Sequence, residues 1–240
     1  MASQSSDTRG PLTRFAVALF PGFQALDVFG PIDTLNMLSK QTPIHLDVLA
    51  KTLDPVSTRT DKSGHTAFET IVPTRTFADY INASANGSNG NAKDNDIEVL
   101  LIPGGGGTRD PDNIEEVVDL VRAAYPRLRY LLTVCTGSAV AAMSGILDGH
   151  RATTNKLAWD WVIAQGPKVN WVRRARWVTD GNIWTSSGIS AGIDMMYAFV
   201  GDQYGADTAS KLAFASEYVR NTDPDMDPFA GDGTNGVKKA

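Results

Sequence analysis

Four short apolar runs that alternate with segments suited to helices constrain the fold of this chain more than any other feature of its sequence. The runs span residues 14–20, 44–50, 97–102 and 129–134. Runs that are apolar on both faces are typical of strands buried inside a parallel sheet. The alternation predicts an α/β fold, a three-layer sandwich in which a mostly parallel central sheet carries helices on both faces.

Composition and charge exclude several classes of partner and cofactor. The chain has 240 residues and a net charge of −5, which argues against nucleic acid as its main partner. No apolar run is long enough for a membrane span, so we expect no membrane partner. The single cysteine cannot form an internal disulfide, and we therefore expect a reducing, cytoplasmic location. The three histidines are scattered, so no metal site is predicted.

Changes in composition along the chain predict one domain with flanking segments. Residues 1–13 read as a disordered N-terminal tail and residues 14–220 as a single domain. Within it, residues 82–96 are rich in Asn, Gly and Ser, which predicts a low-complexity loop insertion. Residues 221–240 are acidic and rich in Pro and Gly, so we expect a C-terminal arm or tail.

The only cysteine, Cys135, stands where the fourth apolar run gives way to small residues suited to a helix. A residue at a strand-to-helix corner is exposed and lies beside the free N–H groups of a helix, which makes a thiol easier to ionise. The alternative is a buried cysteine that packs as a small hydrophobe. Because Thr136-Gly137-Ser138 is typical of a turn and a helix start, we expect Cys135 to be a catalytic nucleophile.

The carboxyl ends of the predicted strands bring candidate site residues together. In open α/β sheets, ligands bind beyond these ends. Phe20-Pro21, the loop 103–107, Cys135 and residues 186–188 all follow predicted strands and should therefore meet. The glycine-rich loop lacks the Gly-Lys-Ser/Thr of a P-loop and gives no clean dinucleotide fingerprint, so no nucleotide cofactor is predicted.

Two local expectations concern proline and arginine. We expect Gly30-Pro31 to start or kink a helix, since proline is tolerated only in the first turn. Arg173, Arg174 and Arg176 lie between tryptophans, and on an acidic protein this pattern favours a solvated strand edge over a nucleic-acid face.

A set of motifs in fixed order resembles the ThiJ/PfpI superfamily, which has a flavodoxin-like fold of the class I glutamine amidotransferase type. The resemblance covers nearly all of the chain from residue 14 to residue 231. Its motifs are Leu26-Asp27-Val28-Phe29-Gly30-Pro31 and the segments 101–105, 134–138, 145–149, 151–154 and 188–194. Asp27 in the first motif and the sequence Cys-Thr-Gly-Ser at 135–138 resemble the isocyanide hydratase branch in particular.

This resemblance implies a cofactor-free hydro-lyase that converts an isocyanide and water into an N-formamide. Cys135 would attack the terminal carbon as a thiolate and form a thioimidate. Asp27 would act as acid and base, holding the proton when Cys135 is ionised. Thr136 would orient the water, and the N–H groups of Thr136 and Gly105 are candidate oxyanion donors. The competing role for Asp27 is a helix cap.

The resemblance also implies a homodimer, with the helix after Gly30-Pro31 and the C-terminal arm as candidate interfaces. Many relatives have histidine where this chain has Asn155, and asparagine cannot serve as a general base near neutral pH. That departure disfavours, without excluding, a glyoxalase or deglycase activity. A non-catalytic stress or redox-sensing protein is the third alternative. Certain AraC-type regulators share the Cys-Thr-Gly-Ser elbow, but they carry a helix-turn-helix region for which this chain is expected to be too short.

Overall fold

The structure of the protein is a computed structural model that describes residues 10–60, 62, 64, 66–85 and 97–231. Most of the predicted N-terminal tail and the end of the C-terminal segment lie outside the described residues. Residues 86–96 of the predicted insertion lie outside them as well. Its first four residues, 82–85, belong to a helix, so the prediction of a loop is wrong for these four residues.

A seven-stranded sheet forms the centre of the fold. In spatial order its strands are β10 (Trp177–Asp180), β11 (Ile183–Ser186), β7 (Tyr130–Val134), β6 (Val99–Ile102), β1 (Arg14–Ala18), β2 (His45–Ala50) and β5 (Arg75–Thr76). Neighbouring strands are parallel except for β10, which runs antiparallel to β11. Two small ladders stand apart, β3 (Val56–Ser57) with β4 (Thr70–Ile71) and β8 (Arg151–Ala152) with β9 (Asn170–Trp171).

In the described residues, seven α-helices cover the sheet in two groups. They are α1 (Ala25–Leu38), α2 (Phe77–Ala85), α3 (Pro111–Ala124), α4 (Gly137–Met143), α5 (Trp159–Gln165), α6 (Ser190–Tyr204) and α7 (Ala206–Ala215). Helices α1, α6 and α7 pack together, and α2, α3, α4 and α5 pack in succession. The predicted α/β fold with a mostly parallel sheet is therefore confirmed. None of the helices in the described part of the chain combines the length and hydropathy that a membrane span requires.

The central strands β6, β1 and β7 are buried along almost their whole length. Their apolar residues contact helices on both faces, which is why these strands show no polar alternation. All three are parallel, so the loops that follow them emerge at one edge of the sheet. Asp27, the glycine loop and Cys135 lie in or just after those loops.

Helix α1 begins at Ala25, so the expectation that Gly30-Pro31 starts the helix is wrong, while the alternative of a kink at this pair stays a prediction. Pro31 lies in the helix interior. A Cβ on Gly30, the residue before Pro31, would overlap Ile193 of α6, so the two helices touch at this point. Thr34 Oγ1 also donates to the Gly30 carbonyl at 3.3 Å. Because α1 begins at Ala25, Asp27 lies in its first turn.

Arg176 is buried, and the expectation of a solvated strand edge is wrong for this residue. Its Nη2 lies 2.6 Å from Asp194 Oδ2, and its Nε donates to the same oxygen. Asp194 Oδ1 accepts hydrogen bonds from Tyr218 Oη and the Asn221 N–H. Helix α6 and the described part of the C-terminal segment cover the edge strand here. That segment lies against the domain as an arm, with the Pro224 carbonyl accepting the Arg176 N–H.

Replacing Arg176 by methionine is expected to lower the free energy of unfolding by about 3–5 kcal/mol, because Asp194 would remain buried without its cation. Urea denaturation followed by tryptophan fluorescence measures this loss. The control is Arg122→Met, which breaks a solvent-exposed pair with Asp119 and should cost less than about 1 kcal/mol. Equal losses in the two variants would contradict the structural role of the buried pair.

Candidate active site

Cys135 lies at the corner between β7 and α4 in a backbone conformation that side chains rarely adopt. Its φ is 57°. This backbone conformation costs of order 1–3 kcal/mol and persists only where surrounding contacts hold it in place. Its N–H points at the carbonyls of Ser186 and Ser187, each 3.2 Å away. Its own carbonyl accepts from Ser138 Oγ at 3.1 Å and Thr154 Oγ1 at 2.9 Å. Both backbone polar groups are therefore fixed, and the direction of the thiol with them.

Asp27 is fully buried, and the Gly104 N–H donates to its Oδ2 at 2.9 Å. The residue at the N-cap of α1 is Gln24, and the Asp27 carboxylate does not cap the helix. The competing role as a helix cap is therefore excluded. Oδ1 makes no hydrogen bond of good geometry with any described residue. One oxygen of the carboxyl is thus anchored, and the other is free to exchange a proton.

The loops after β1 and β6 are joined by backbone hydrogen bonds. The Gln24 N–H donates to the Gly104 carbonyl at 2.8 Å, and the Gly107 N–H donates to the Gly22 carbonyl at 3.0 Å. Gly105 has a φ of 135°, and a Cβ there would overlap the Gly22 backbone. The predicted convergence of the loops after β1, β6 and β7 and the residues at 186–188 is confirmed.

Thr136 connects the elbow to the glycine loop through its hydroxyl. The Gly105 N–H donates to Thr136 Oγ1 at 3.0 Å, and Thr108 Oγ1 donates to it at 3.1 Å. The Gly105 N–H would have to leave this bond before it could serve an oxyanion. The Thr136 N–H already donates toward the sulfur of Cys135. Of the two predicted oxyanion donors, Thr136 is therefore the better placed.

Burial and the neighbouring carboxylate make the thiol harder to ionise. Desolvation, followed by the negative charge of Asp27, raises the pKa of Cys135 to about 12. The Thr136 N–H and the Asn155 side chain act in the opposite direction without overcoming burial. The expectation that the helix start lowers this pKa is wrong for the resting site, because the residue is only 7% exposed.

The carboxyl of Asp27 is the group of this pair that titrates near neutral pH. Burial raises its pKa from 3.8 to about 7, against the lowering effects of the Gly104 N–H and the Cys135 side chain. In the resting pair the proton lies on sulfur when Asp27 is ionised. A thiolate can then form only if its proton moves to a nearby base.

Asn155 is a site residue that the sequence analysis treated only as the absence of a histidine. Its Oδ1 accepts the Ala158 N–H at 3.0 Å, which fixes the orientation of the amide. A Cβ on Gly188 would overlap Asn155 Nδ2, so glycine is required beside it. The amide hydrogen-bonds Cys135 and favours its ionised form. Thr154, the residue before it, holds the Cys135 carbonyl 19 residues away in the chain, so Asn155 reaches the sulfur through a contact that no local pattern reports.

The site features described above all lie within the span that one family model matches. The model of the DJ-1/PfpI family matches residues 13–202, a span that contains Asp27, the glycine loop and the elbow. The chain belongs to the DJ-1/PfpI family. The resemblance that the motifs indicated is thereby confirmed. Within the described residues, no group of three or more His, Cys, Asp or Glu side chains is arranged to hold a metal ion.

The relatives of this family member include an enzyme and a regulator. The chain is 33% identical over 201 residues to isonitrile hydratase from Pseudomonas putida, covering 84% of this chain and 76% of that protein. It is 31% identical over 130 residues to the HTH-type transcriptional regulator GbdR from Pseudomonas aeruginosa, covering 52% of this chain and 34% of the regulator. A solved THiJ/PfpI family protein from Pseudomonas syringae has a TM-score of 0.67 and 26% identity, covering 92% of this chain and 83% of that one.

The variant Asp27→Asn is expected to gain stability relative to the wild type as the pH rises. The unfolded chain releases the Asp27 proton near pH 3.8, whereas the folded protein holds it to about pH 7. Wild-type stability therefore falls between these values, by an amount on the order of 4 kcal/mol, and then levels off. Urea denaturation at pH 4 and pH 8 measures the difference. Asp33→Asn, an exposed position on the same helix, is the control; if both variants follow the wild type, the raised pKa is refuted.

Gly104→Ala is expected to destabilise the protein by about 1–3 kcal/mol through overpacking. The added Cβ would lie 2.6 Å from the Thr136 backbone nitrogen and 2.9 Å from Cys135 Cβ. Gly106→Ala in the same loop is the control, since its Cβ would have no neighbour within 4 Å. Thermal and urea unfolding compare the two variants, and a Gly104→Ala protein as stable as Gly106→Ala would disprove the close packing of loop and elbow.

Proposed function

We propose that the protein is a cofactor-free isocyanide hydratase, which converts R–N≡C and water into an N-formamide. The observation that supports this most strongly is the buried pair of Cys135 and Asp27, in which the carboxyl has a pKa of about 7. A base with a pKa near the working pH is suited to both taking and returning a proton. The similarity to isonitrile hydratase from Pseudomonas putida supports the same reaction.

The first step forms a covalent intermediate on sulfur. Asp27 Oδ1 takes the thiol proton of Cys135 as the sulfur attacks the terminal carbon of the isocyanide. A C–S bond forms, and Asp27 returns the proton to that same carbon, which gives a thioimidate, Cys–S–CH=N–R. The Thr136 N–H and the Asn155 amide stabilise the sulfur while it carries negative charge, because both donate toward it. Asn155 takes no proton, so the acid–base work falls to Asp27.

The second step hydrolyses the thioimidate. Asp27 removes a proton from water as the oxygen attacks the former isocyanide carbon, and it passes this same proton to the nitrogen of the substrate, which leaves Asp27 ionised again. The C–S bond then breaks, the hydroxyl on the carbon becomes the formyl oxygen, and its proton returns to sulfur through Asp27. Thr136 Oγ1, held by Thr108 and Gly105, is the hydroxyl placed to orient the water. The sum is one isocyanide plus one water to one N-formamide.

The alternatives from the sequence have weaker support. A glyoxalase or deglycase that relies on a cysteine–histidine dyad needs a general base at the position of Asn155, and asparagine cannot act as one near neutral pH. A redox sensor needs an accessible thiol of low pKa, whereas Cys135 is buried and its pKa is raised. The similarity to the regulator GbdR makes ligand sensing without turnover a further alternative, and an activity assay distinguishes it from catalysis.

We further propose a homodimer in the cytoplasm. Leu26 and Phe29 expose apolar side chains on one face of α1, and the arm exposes Met226. A second copy of the chain would remove these side chains from water. The reducing cytoplasm would keep Cys135 a free thiol.

Incubation with para-nitrophenyl isocyanide and, separately, with methylglyoxal tests the proposed function. We expect hydration of the isocyanide, with kcat/KM rising as the pH increases through about 7 because Asp27 must be ionised to accept the thiol proton. Cys135→Ala should abolish turnover, and Asp27→Asn should lower kcat/KM by about 10²–10⁴-fold. Asp33→Asn should leave it unchanged.

Other outcomes assign the protein to one of the alternatives. Turnover of methylglyoxal alone would replace the hydratase by a glyoxalase. Binding of the isocyanide without any formamide would favour a sensor. Full activity of Asp27→Asn with an unchanged pH profile would remove Asp27 from the mechanism.

A further inference from the structure

Lys156 carries a buried charge that the proposed mechanism does not use. Its side chain is only 5% exposed, although the residue directly follows Asn155. The ammonium donates hydrogen bonds to Thr153 Oγ1 at 2.9 Å, to the Thr154 carbonyl at 3.0 Å and to the Ala175 carbonyl at 3.0 Å. These bonds use all three of its hydrogens. Such a lysine is held firmly as long as it stays protonated.

The counter-ion of Lys156 comes from the C-terminal arm. Asp227 Oδ2 lies 3.3 Å from Lys156 Nζ, and the Asp227 side chain has no exposed surface. Its other oxygen, Oδ1, accepts the Phe229 N–H at 3.0 Å, which fixes the orientation of the carboxylate. Because a buried charge is stable only with a partner, the arm and this lysine depend on each other.

Thr154 connects the ammonium to the nucleophile. Its carbonyl accepts a hydrogen bond from Lys156, and its Oγ1 donates to the Cys135 carbonyl at 2.9 Å. The amide of Asn155, the next residue, hydrogen-bonds the Cys135 side chain. The segment 154–155 therefore contacts the nucleophile at its backbone and at its sulfur, and Lys156 anchors that segment.

Lys156 borders a cavity of about 300 Å³, which is also lined by Asn155 and Asp227. Leu157 and Phe229 line the same cavity with strongly exposed side chains, so the cavity opens to solvent. Lys156 can exchange its proton with water there. Its charge therefore follows the pH of the solution.

Burial makes the charge of Lys156 sensitive to pH near neutrality. It lowers the pKa from 10.5 to about 8, against the raising effect of Asp227, and the charge of Arg173 lowers it further. The other charged or aromatic side chains near it are Arg176 with its partner Asp194 and Trp159, whose ring lies 5.4 Å from Nζ. Above this pH the amine has two hydrogens for the four oxygens around it and no charge to attract Asp227.

We propose that Lys156 is a positioning residue for the nucleophile, which acts through Thr154 and Asn155 and takes its counter-ion, Asp227, from the arm. The protonated form fixes the Cys135 carbonyl and holds the Asn155 amide against the sulfur. The neutral form loosens both contacts. The inference rests on the proposed function for Cys135 as the nucleophile, and it adds the residue and the segment that hold this nucleophile in place.

This role predicts a falling limb in the pH profile. Asp27 has to be ionised and Lys156 protonated, so kcat/KM should rise through about pH 7 and fall above about pH 8. The fall should end on a lower plateau, because the catalytic groups themselves remain. A lysine that only stabilised the fold would give no such limb.

Removal of one partner alone would leave the other charge buried, so the test uses the double variant Lys156→Met/Asp227→Asn. The matched control is Lys168→Met/Asp148→Asn, which removes an exposed pair with a similar N···O distance of 3.2 Å. With para-nitrophenyl isocyanide we expect the first variant to show a kcat/KM about 10–100-fold below the wild type near pH 7.5, and no falling limb. The control should keep the activity and the limb. Equal activities of the two double variants, or a falling limb that persists in Lys156→Met/Asp227→Asn, would overturn the proposal.

The single variant Asp227→Asn keeps the ammonium and removes its counter-ion. The pKa of Lys156 should drop, so we expect the falling limb to move to lower pH by about one unit. A limb that stays near pH 8 would contradict the role of the arm.

Alkylation of Cys135 by iodoacetamide separates this inference from the hydratase reaction. The sulfur forms a C–S bond as iodide leaves and the thiol proton is released, and intact-protein mass measures the rate. Suppose that no isocyanide is hydrated, but that the pH dependence of alkylation changes slope near pH 8 in the wild type and the control and not in Lys156→Met/Asp227→Asn. The hydratase proposal then fails and the positioning role stands. If isocyanides are hydrated while both double variants keep the wild-type pH dependence in both reactions, the reverse holds.

Discussion

The hydrogen bond from the Gly104 amide to the Asp27 carboxyl is the interaction on which the rest of the site depends. It holds one oxygen of a fully buried acid and leaves the other facing the Cys135 side chain, with no hydrogen bond of good geometry to any described residue. Burial alone would keep this acid protonated over a wide pH range, and the backbone donor moderates that effect. The result is a carboxyl that titrates where a general base is most useful. In the proposed mechanism, ionisation of Cys135 depends on this neighbouring carboxyl, because the pKa of the thiol itself is raised.

The sheet order explains why these groups meet. Strand β1 lies next to β6, and β6 lies next to β7, so the segments that follow them are neighbours at one edge. These segments contain Asp27 in the first turn of α1, Gly104 in the glycine loop and Cys135 at the elbow. Each loop is then fixed to the next by backbone or hydroxyl hydrogen bonds. The strained φ of Cys135 persists because four separate partners hold its backbone. Rigidity at this corner is therefore a property of the whole edge and does not come from helix α4 alone.

The sequence was sufficient to predict the α/β fold, the family and the meeting of the loops, because apolar runs and strand ends are local signals. It was insufficient for features that depend on packing. Whether the pKa of Cys135 is raised or lowered depends on how deeply the sulfur is buried, and no local sequence pattern reports that depth. The contact of Gly30, beside Pro31, with Ile193 and the pairing of Arg176 with Asp194 both involve α6, which neither local pattern reports. Asn155 was identified as a departure from relatives, but its contact with sulfur required three dimensions.

The catalytic roles stay predictions for Cys135, Asp27, Thr136 and Gly105. The geometry supports some of these roles more strongly than others. Asp27 and Cys135 are adjacent, and Thr136 offers both an N–H and a hydroxyl. Gly105 is the weakest of the four, because its amide is engaged by Thr136 in this structure. The cavity lined by Asn155 could not be predicted from the sequence, because Asp227 and Phe229 in its lining belong to a segment whose composition indicated an arm or a tail and not where it packs.

The complete burial of Asp27 has a consequence for how the proposed reaction communicates with solvent. Hydration of an isocyanide consumes no net proton, and one carboxyl can shuttle each proton between sulfur, carbon and water. Because such a site exchanges no proton with bulk solvent, it needs an entrance for the substrate and for one water molecule. It does not need a hydrogen-bonded path that carries protons to the bulk. The absence of solvent around Asp27 is then compatible with rapid turnover, and it shields the thioimidate from competing nucleophiles.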